Sequence, residues 1–332
     1  MQVHPGLRCN LACAHCYSAS GPVARLEVDI DTLRRAVDDA CQLGYRTMAV
    51  SGGEPLLYRD LAKLTAHAHA AGLTVTVTTN AMLVARRLES MLGTVDVWAV
   101  SVDGSPDTHN RMRGSPRAFD AMVAGLEALR RAGVSFGVVH TLVEAGLGEV
   151  VWVADFAVTM GAALLQIHPL ELAGRAATMG AMHPAQATLG RAYLAALALG
   201  AAYGATMAVH IDLCPRVTLL AHPELVYAGD AAERDRAAGA GRLGNLAIES
   251  DGTIAPVAWG FSRRFALGDL SEERLAPSFQ RWQRQGEEEF RALGRRVFAE
   301  VATNPQRRLL NIHELLVAAS HDVPADQYAH HH

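Results

Sequence analysis

Cysteine is scarce in this chain: 332 residues contain five. So few, and an odd number, do not make the disulfide framework of a secreted domain. A reducing cytoplasm is the expected setting. Lysine is scarcer still, with Lys63 alone against an arginine-rich background, a bias that reflects coding rather than activity. No basic stripe accompanies the formal net charge of −4, so nucleic acid is not an expected partner. Long uncharged apolar runs are also missing. The nearest, LGRAYLAALALGAAYGATMAV at 189–209, is broken by Arg191 and by small residues. It reads as a buried amphipathic helix rather than the ~18 apolar residues of a membrane span. The N-terminus lacks the charged-then-apolar layout of a signal peptide. With 50% hydrophobic and 19% charged residues, the composition suits a soluble enzyme that buries one large core or two modest ones. His330 to His332 read as the start of a purification tag.

Scarcity makes the placement of the cysteines informative. Cys9, Cys13 and Cys16 fall within eight residues of one another, in RCNLACAHCYSASGP. A disulfide would use two and strand the third. Zinc would want a fourth nitrogen or sulfur ligand, commonly from a second paired motif, and no second C-x-x-C exists. His15 could serve, but it lies between two of the cysteines. An iron–sulfur cluster takes its thiolates from short loops of this kind. Three ligands on a four-iron cube would leave one iron open to an external molecule.

Beyond this loop the pattern alternates. A helix over 29–44, capped by Asp29 or Asp31 and stopped at Gly44, precedes the apolar stretch of YRTMAVSGGEPLL. Helices follow near 58–72, 82–92, 117–132 and 147–160, separated by β-branched or apolar strands at 73–80, 95–104, 134–143 and 163–171. This rhythm predicts parallel strands joined by helical crossovers, whose ligands gather at the C-terminal strand ends. The glycine pair of Gly52-Gly53-Glu54-Pro55, the run Thr78-Thr79-Asn80 and Ser101-Val102-Asp103-Gly104 all fall at such ends.

C-x-x-x-C-x-x-C followed by an aromatic, here CNLACAHCY, resembles the signature of the radical S-adenosylmethionine (SAM) superfamily. The stretch SVDGSPDTHNRMRGSPRAFD resembles its subfamily with a C-terminal SPASM or twitch extension. The resemblance implies an α/β fold: a partial (β/α)6 TIM-like barrel over 1–205, then a small α+β extension over 206–329. It further implies one [4Fe–4S] cluster on Cys9, Cys13 and Cys16, with SAM chelated at the open iron. One electron, from a reductase or a flavodoxin or ferredoxin, then splits SAM into methionine and a 5′-deoxyadenosyl radical that takes hydrogen from the substrate.

Carried over residue by residue, the resemblance puts Gly52, Gly53 and Glu54 at the SAM amino group. Asn80 becomes a SAM contact, with Ala81 standing where the family often has glycine. Ser101 meets the ribose or carboxylate, and Arg113 pairs with the carboxylate through its planar fork. The backbone around Ile167 meets the adenine, and Tyr17 packs behind the cluster as adenine neighbour or cover. His109 orders its loop.

LAIESDGTIAPVAWGF (246–261) reads as a hairpin turned at Asp251-Gly252, followed by an amphipathic helix. The layout is similar to SPASM, but Pro256-Val257 stands where that family has a Pro-Cys pair. Cys214 is the lone cysteine of the region. The implied reading is a degenerate lid without an auxiliary cluster, so that a substrate radical must be quenched otherwise. Cys214 is then a candidate hydrogen donor or else a small packed hydrophobe; Cys41 is core. His140, His168, Glu171, His210 and Asp212 are acid–base candidates at inward strand ends.

The implied substrate is a ribosomally made peptide, to be crosslinked, epimerised or oxidised. The alternative is a small natural product, a sugar or an amino acid. MQVHPGL, read as the first strand, has no recognition domain before it, which favours the small molecule somewhat. The non-enzyme alternatives are an Fe–S electron relay and a zinc-stabilised interaction protein, and neither needs the strand-end motifs. Anaerobic reconstitution is expected to load about four irons per chain on the three-cysteine site, and replacing any of Cys9, Cys13 or Cys16 by Ala to abolish loading; roughly eight irons would require ligands the sequence lacks.

Overall fold

The computed structural model describes residues 1–228 and 243–321; the tag-like histidines lie outside them, as does part of the expected extension. Seven strands run parallel and neighbour one another in chain order. They are β1 Gln2–Val3, β2 Thr47–Val50, β3 Thr74–Thr79, β4 Val97–Ser101, β5 Phe136–Leu142, β6 Leu164–Pro169 and β7 Ala208–Ile211. The crossovers carry α1 Ile30–Gln42, α2 Leu61–Ala70, α3 Val84–Arg87, α5 Ala118–Arg131, α6 Leu147–Met160 and α7 Gln186–Tyr203, with α4 Pro106–Arg113 ahead of α5. Local chemistry sets the bounds of α1. The Asp29 carboxylate accepts the Thr32 N–H at 2.9 Å, and Leu33, Ala36, Val37 and Ala40 form its buried stripe.

The strands alternate between two kinds of surface. Met48, Val50, Val75, Val77, Trp98, Val100, Val138, Leu165 and Ile167 are fully buried beneath the helices. Most of the intervening positions are small or polar and less buried: Ala49, Ser51, Thr76, Thr78, Ala99, Ser101, Thr141, Gln166 and His168, with Val97, Val139 and Leu164 as the apolar exceptions. In register, Thr78 lies beside Ala99, Ser101 beside Val139, and Thr141 beside His168. A period of two thus separates a packed apolar face from a face with room and hydrogen-bonding groups.

After β8 Cys214–Pro215, which pairs in a separate two-stranded sheet, the expected hairpin is present and continues the main sheet. β9 Leu246–Ile248 pairs in parallel with β1, and β10 Thr253–Pro256 and β11 Gly268–Asp269 add antiparallel strands beyond it. Gly252 turns the hairpin at φ +93°. The helix Leu275–Gln285 then docks on α1 through buried Asp39, which accepts the Ala276 N–H at 3.1 Å and pairs with Arg274. Within the described residues the sheet has ten strands, and β7 and β11 are its unpaired edges.

Two expectations are corrected. The stretch 189–209 is not one buried helix: α7 ends at Tyr203, and the apolar tail becomes the seventh parallel strand, β7. Leu194 and Leu197 on α7 are 66% and 58% exposed, so α7 is a surface helix. The residues around Arg113 are not a loop. They form α4, which buries His109, Met112 and Arg113 and ends at Gly114 in the left-handed region at φ +66°.

Candidate functional site

The three-cysteine segment has little regular structure of its own and is held by its surroundings. From the loop after β2, Gly53 N–H donates to the Gly6 carbonyl and Glu54 N–H to the Arg8 carbonyl, each at 2.9 Å. From α4's last turn, the Met112 carbonyl accepts Ala14 N–H at 3.0 Å. From beyond β6, Arg175 donates through Nε to the Cys13 carbonyl (2.8 Å), through Nη2 to the Ser20 carbonyl (2.7 Å) and through its N–H to the Cys16 carbonyl (3.0 Å). Glycines make this grip possible. A Cβ at Gly53 would collide with the Arg8 carbonyl oxygen, and one at Gly174 with the Tyr17 carbonyl oxygen. The close approach expected of Gly52 and Gly53 toward a ligand is thus made first by the chain's own loop.

Glu54 and Asn80 extend the same tie. The buried Glu54 carboxylate accepts from Leu56 N–H (3.1 Å), Thr79 Oγ1 (2.7 Å) and Asn80 N–H (2.9 Å). Burial raises its pKa against these donors. Asn80 Nδ2 donates to Asn10 Oδ1 at 2.9 Å and lies 4.0 Å from the Cys9 sulfur. Both residues stand at the cysteine loop, and their polar groups are occupied within the chain.

Each cysteine sulfur has a polar neighbour. Cys9 Sγ accepts Leu11 N–H at 3.4 Å, Arg113 Nη1 lies 3.8 Å from Cys13 Sγ, and Ser18 Oγ lies 3.4 Å from Cys16 Sγ. Cys9 and Cys13 are 8% and 7% exposed. Burial pushes the Cys9 thiol up to about 12 and raises Cys13, where Arg113 opposes it. Such thiols stay protonated alone and become thiolates when a metal takes the proton's place. Polar groups beside the sulfurs suit metal-bound thiolates. Among the described residues no three His, Cys, Asp or Glu side chains converge on one ion; a cube takes one thiolate per iron, with the ligands spread over its corners. The loop fits an iron–sulfur cube.

Arg113 has a partner that sequence reasoning did not assign. Its Nε lies 2.6 Å from Oδ2 of Asp103, whose side chain is completely buried. His15 Nε2 stands 3.5 Å from the same oxygen, and Asp103 N–H donates to His109 Nδ1 at 3.2 Å. Burial would raise the Asp103 carboxyl, but Arg113 and then His15 hold it well below the usual carboxylate range. Five buried atoms here make no hydrogen bond of good geometry: Arg113 Nε and Asp103 Oδ2, which face each other as an ion pair, and Asp103 Oδ1, His15 Nδ1 and His140 Nε2. His109 does order this region, through Asp103. Asp103 was visible as the third letter of SVDG, and Arg175 had no signal beyond following Gly174.

The remaining candidates divide. Ser101 ends β4 on the small, polar face. Ile167 has a buried side chain, and its carbonyl accepts Asp212 N–H at 2.9 Å. Tyr17 places its hydroxyl 3.2 Å from Ser51 Oγ and its ring edge-on to Trp259 at 5.3 Å. His140 does not face inward: it shares the phase of Val138 and Leu142, and its Nδ1 lies 3.1 Å from the Val102 carbonyl oxygen. His168, Glu171, His210 and Asp212 do come together. His168 lies 2.9 Å from Asp212 and 3.3 Å from Glu171, and His210 lies 3.1 Å from Asp212. Burial would lower His168, but Glu171 and Asp212 raise it to about 10. Cys214 sits just past β7, half-buried, with its Sγ 3.5 Å from the Pro215 carbonyl oxygen. Burial raises its pKa.

The profile of the Radical SAM superfamily matches residues 3–148. An AdoMet-dependent heme synthase of Methanosarcina barkeri is 32% identical over 181 residues, 53% of this chain and 52% of that protein. A PqqA peptide cyclase of Ruegeria pomeroyi is 30% identical over 188 residues, 54% of this chain and 50% of that protein. The chain spans about half the length of these curated relatives. A solved structure of anSMEcpe with bound AdoMet and a Cp18Cys peptide is similar in fold at TM-score 0.61 and 17% identity, covering 93% of this chain and 87% of that one.

The buried ion pair gives a direct test. Asp103→Ala strands the Arg113 charge and is expected to cost about 3–5 kcal/mol of stability in urea unfolding, with Asp103→Asn costing less. A loss below about 1 kcal/mol for Asp103→Ala would mean that the pair is not what holds Arg113.

Proposed function

We propose, from the match of residues 3–148 to the Radical SAM superfamily, that the chain is a radical SAM enzyme that modifies a peptide. The observation that carries the reading is the three-sulfur loop, gripped from beyond β2, α4 and β6 beside a sheet face of small polar side chains. When bound, the [4Fe–4S] cluster and SAM supply a 5′-deoxyadenosyl radical that abstracts hydrogen.

In this reading Cys9, Cys13 and Cys16 hold the cluster. Arg113, fixed by Asp103 at the Cys13 sulfur, presents positive charge to the SAM carboxylate. Gly52, Gly53, Glu54, Asn80 and Ser101 shape the amino and ribose side, the backbone near Ile167 meets the adenine, and Tyr17 with Trp259 closes the cluster against water. Residues 206–329 act as a degenerate SPASM-like lid without its own cluster. Cys214 is the candidate hydrogen donor: its raised pKa keeps the S–H bond intact, the form that can give up a hydrogen atom. The electron comes from an external reductase, flavodoxin or ferredoxin. No helix among the described residues is long and apolar enough to cross a membrane, and we place the enzyme in the cytoplasm.

Peptide modification is supported by the similarity to a PqqA peptide cyclase and by the fold shared with a protein crystallised with a peptide. The similarity to a heme synthase favours a second reading, the tailoring of a small molecule. Reconstituted protein reduced with dithionite is expected to convert SAM to 5′-deoxyadenosine and methionine. Arg113→Ala should keep its iron yet bind SAM at least about tenfold more weakly, since a charged hydrogen bond is lost. Unchanged SAM affinity would confine Arg113 to its contacts with Asp103 and Cys13.

A further inference from the structure

Among the described residues the main sheet has two open edges, and they differ in how they end. The β11 edge is blunted. It is two residues long, Asp269 Oδ1 accepts the Ser271 N–H and hydroxyl at 2.7 and 2.6 Å, and Arg281 of the following helix donates to the Leu267 carbonyl at 3.2 Å. The β7 edge, AVHI, holds no proline, carboxylate or arginine, the residues that commonly guard an edge. Ala208 and Asp212 donate their N–H groups to the Ala163 and Ile167 carbonyls at 3.0 and 2.9 Å. Bonding residues alternate along a parallel strand, so Val209 turns its N–H and carbonyl, and Ile211 its N–H, away from β6. Among the described residues these three groups have no partner.

This edge leads to the cysteine loop. On one face Gln166 lies beside His210 in register, and Gln166 Nε2 donates to Asp212 Oδ2 at 2.7 Å. His168 stands between Asp212 at 2.9 Å and Glu171 at 3.3 Å. Four residues beyond Glu171, Arg175 holds the Cys13, Cys16 and Ser20 carbonyls. His210, at the outer end of this row, has a side chain 65% exposed. On the other face Val209 packs toward α7, where a Cβ at Gly200 would stand 4.0 Å from its own. Arg191 is the one charged residue of α7. A strand added to β7 therefore sets alternate side chains beside a hydrogen-bonding row and the others beside a nearly uncharged helix.

We propose that the open edge of β7 seats the substrate peptide as an added strand, running along the row of Gln166, His168, His210 and Asp212 toward the cysteine loop. The inference rests on the peptide-modifying reading and adds where the peptide lies. Strand addition draws affinity from the main chain and selectivity from alternate side chains. The fitting partner is thus an extended, proline-free segment in which hydrogen-bonding side chains alternate with apolar ones. A second copy of the chain fits less well. Four residues of edge span about 13 Å, a small part of the roughly 800 Å² per partner that a stable dimer buries.

The test gives the reconstituted full chain, with SAM and dithionite, a synthetic library of random proline-free decapeptides. Members that change mass are identified and remade. Val209→Pro removes one outward N–H and no bond to β6. It should raise KM for the remade peptides about tenfold or more, and leave SAM cleavage without peptide unchanged. N-methylation along each peptide should weaken binding to wild type at every second position only, as in a paired strand. An unchanged KM in Val209→Pro overturns the proposal, and so does an N-methyl scan without alternation; in both cases peptides are still modified and the peptide reading stands. A wild-type dimer in light scattering that Val209→Pro breaks would give the edge to a second copy instead. If SAM is cleaved but no library member changes mass, the peptide reading fails and the seat falls with it. Should Val209→Pro lose peptide-free cleavage through misfolding, the N-methyl scan on wild type decides alone.

Discussion

A segment with so little hydrogen bonding of its own must be held by its neighbours, and here the neighbours hold it mainly by its backbone. Carbonyls of Gly6, Arg8, Cys13, Cys16 and Ser20 are taken by N–H groups of Gly53, Glu54 and Arg175 and by the Arg175 guanidinium. Backbone bonding leaves the three sulfurs free for ligation and fixes the loop against several strand ends at once. It also explains why glycine stands at 53 and 174, where any side chain would strike the loop. Preorganisation of this kind is what a metal site needs if binding is not to spend its free energy on ordering the chain.

Charge is arranged around that grip. The Asp103 carboxylate is buried without solvent and would be untenable alone. Arg113 compensates it and in turn is brought within 3.8 Å of the Cys13 sulfur. One pair therefore serves two ends: it satisfies a buried anion and sets a cation beside the Cys13 thiol.

The cysteine spacing and the strand-end motifs were legible because each is local: a ligand set within eight residues, and glycine or asparagine where a strand stops. The alternation of helix and strand was legible for the same reason. What the sequence hid is long-range. Trp259 meets Tyr17 across more than two hundred residues, and no periodicity announces that contact. Arg175 acts on carbonyls, which have no sequence identity to match. The strand β7 was lost inside an apolar stretch that begins as a helix, since short apolar runs read equally as either. The segment of His109 and Arg113 read as a loop because its helix is only two turns long and polar, and the burial of Arg113 depends on Asp103. His140 was placed one residue out of phase, and in a strand a single step changes the face.

The central claim is that the loop presents a cluster with one iron open to SAM, and the electron paramagnetic resonance spectrum of the reduced, reconstituted protein tests it most directly. A spectrum that shifts on adding SAM, in wild type and not in Cys13→Ala, is the predicted result. A reduced-cluster spectrum that is identical with and without SAM would contradict the account, because it would mean a cluster with no coordination site left to offer.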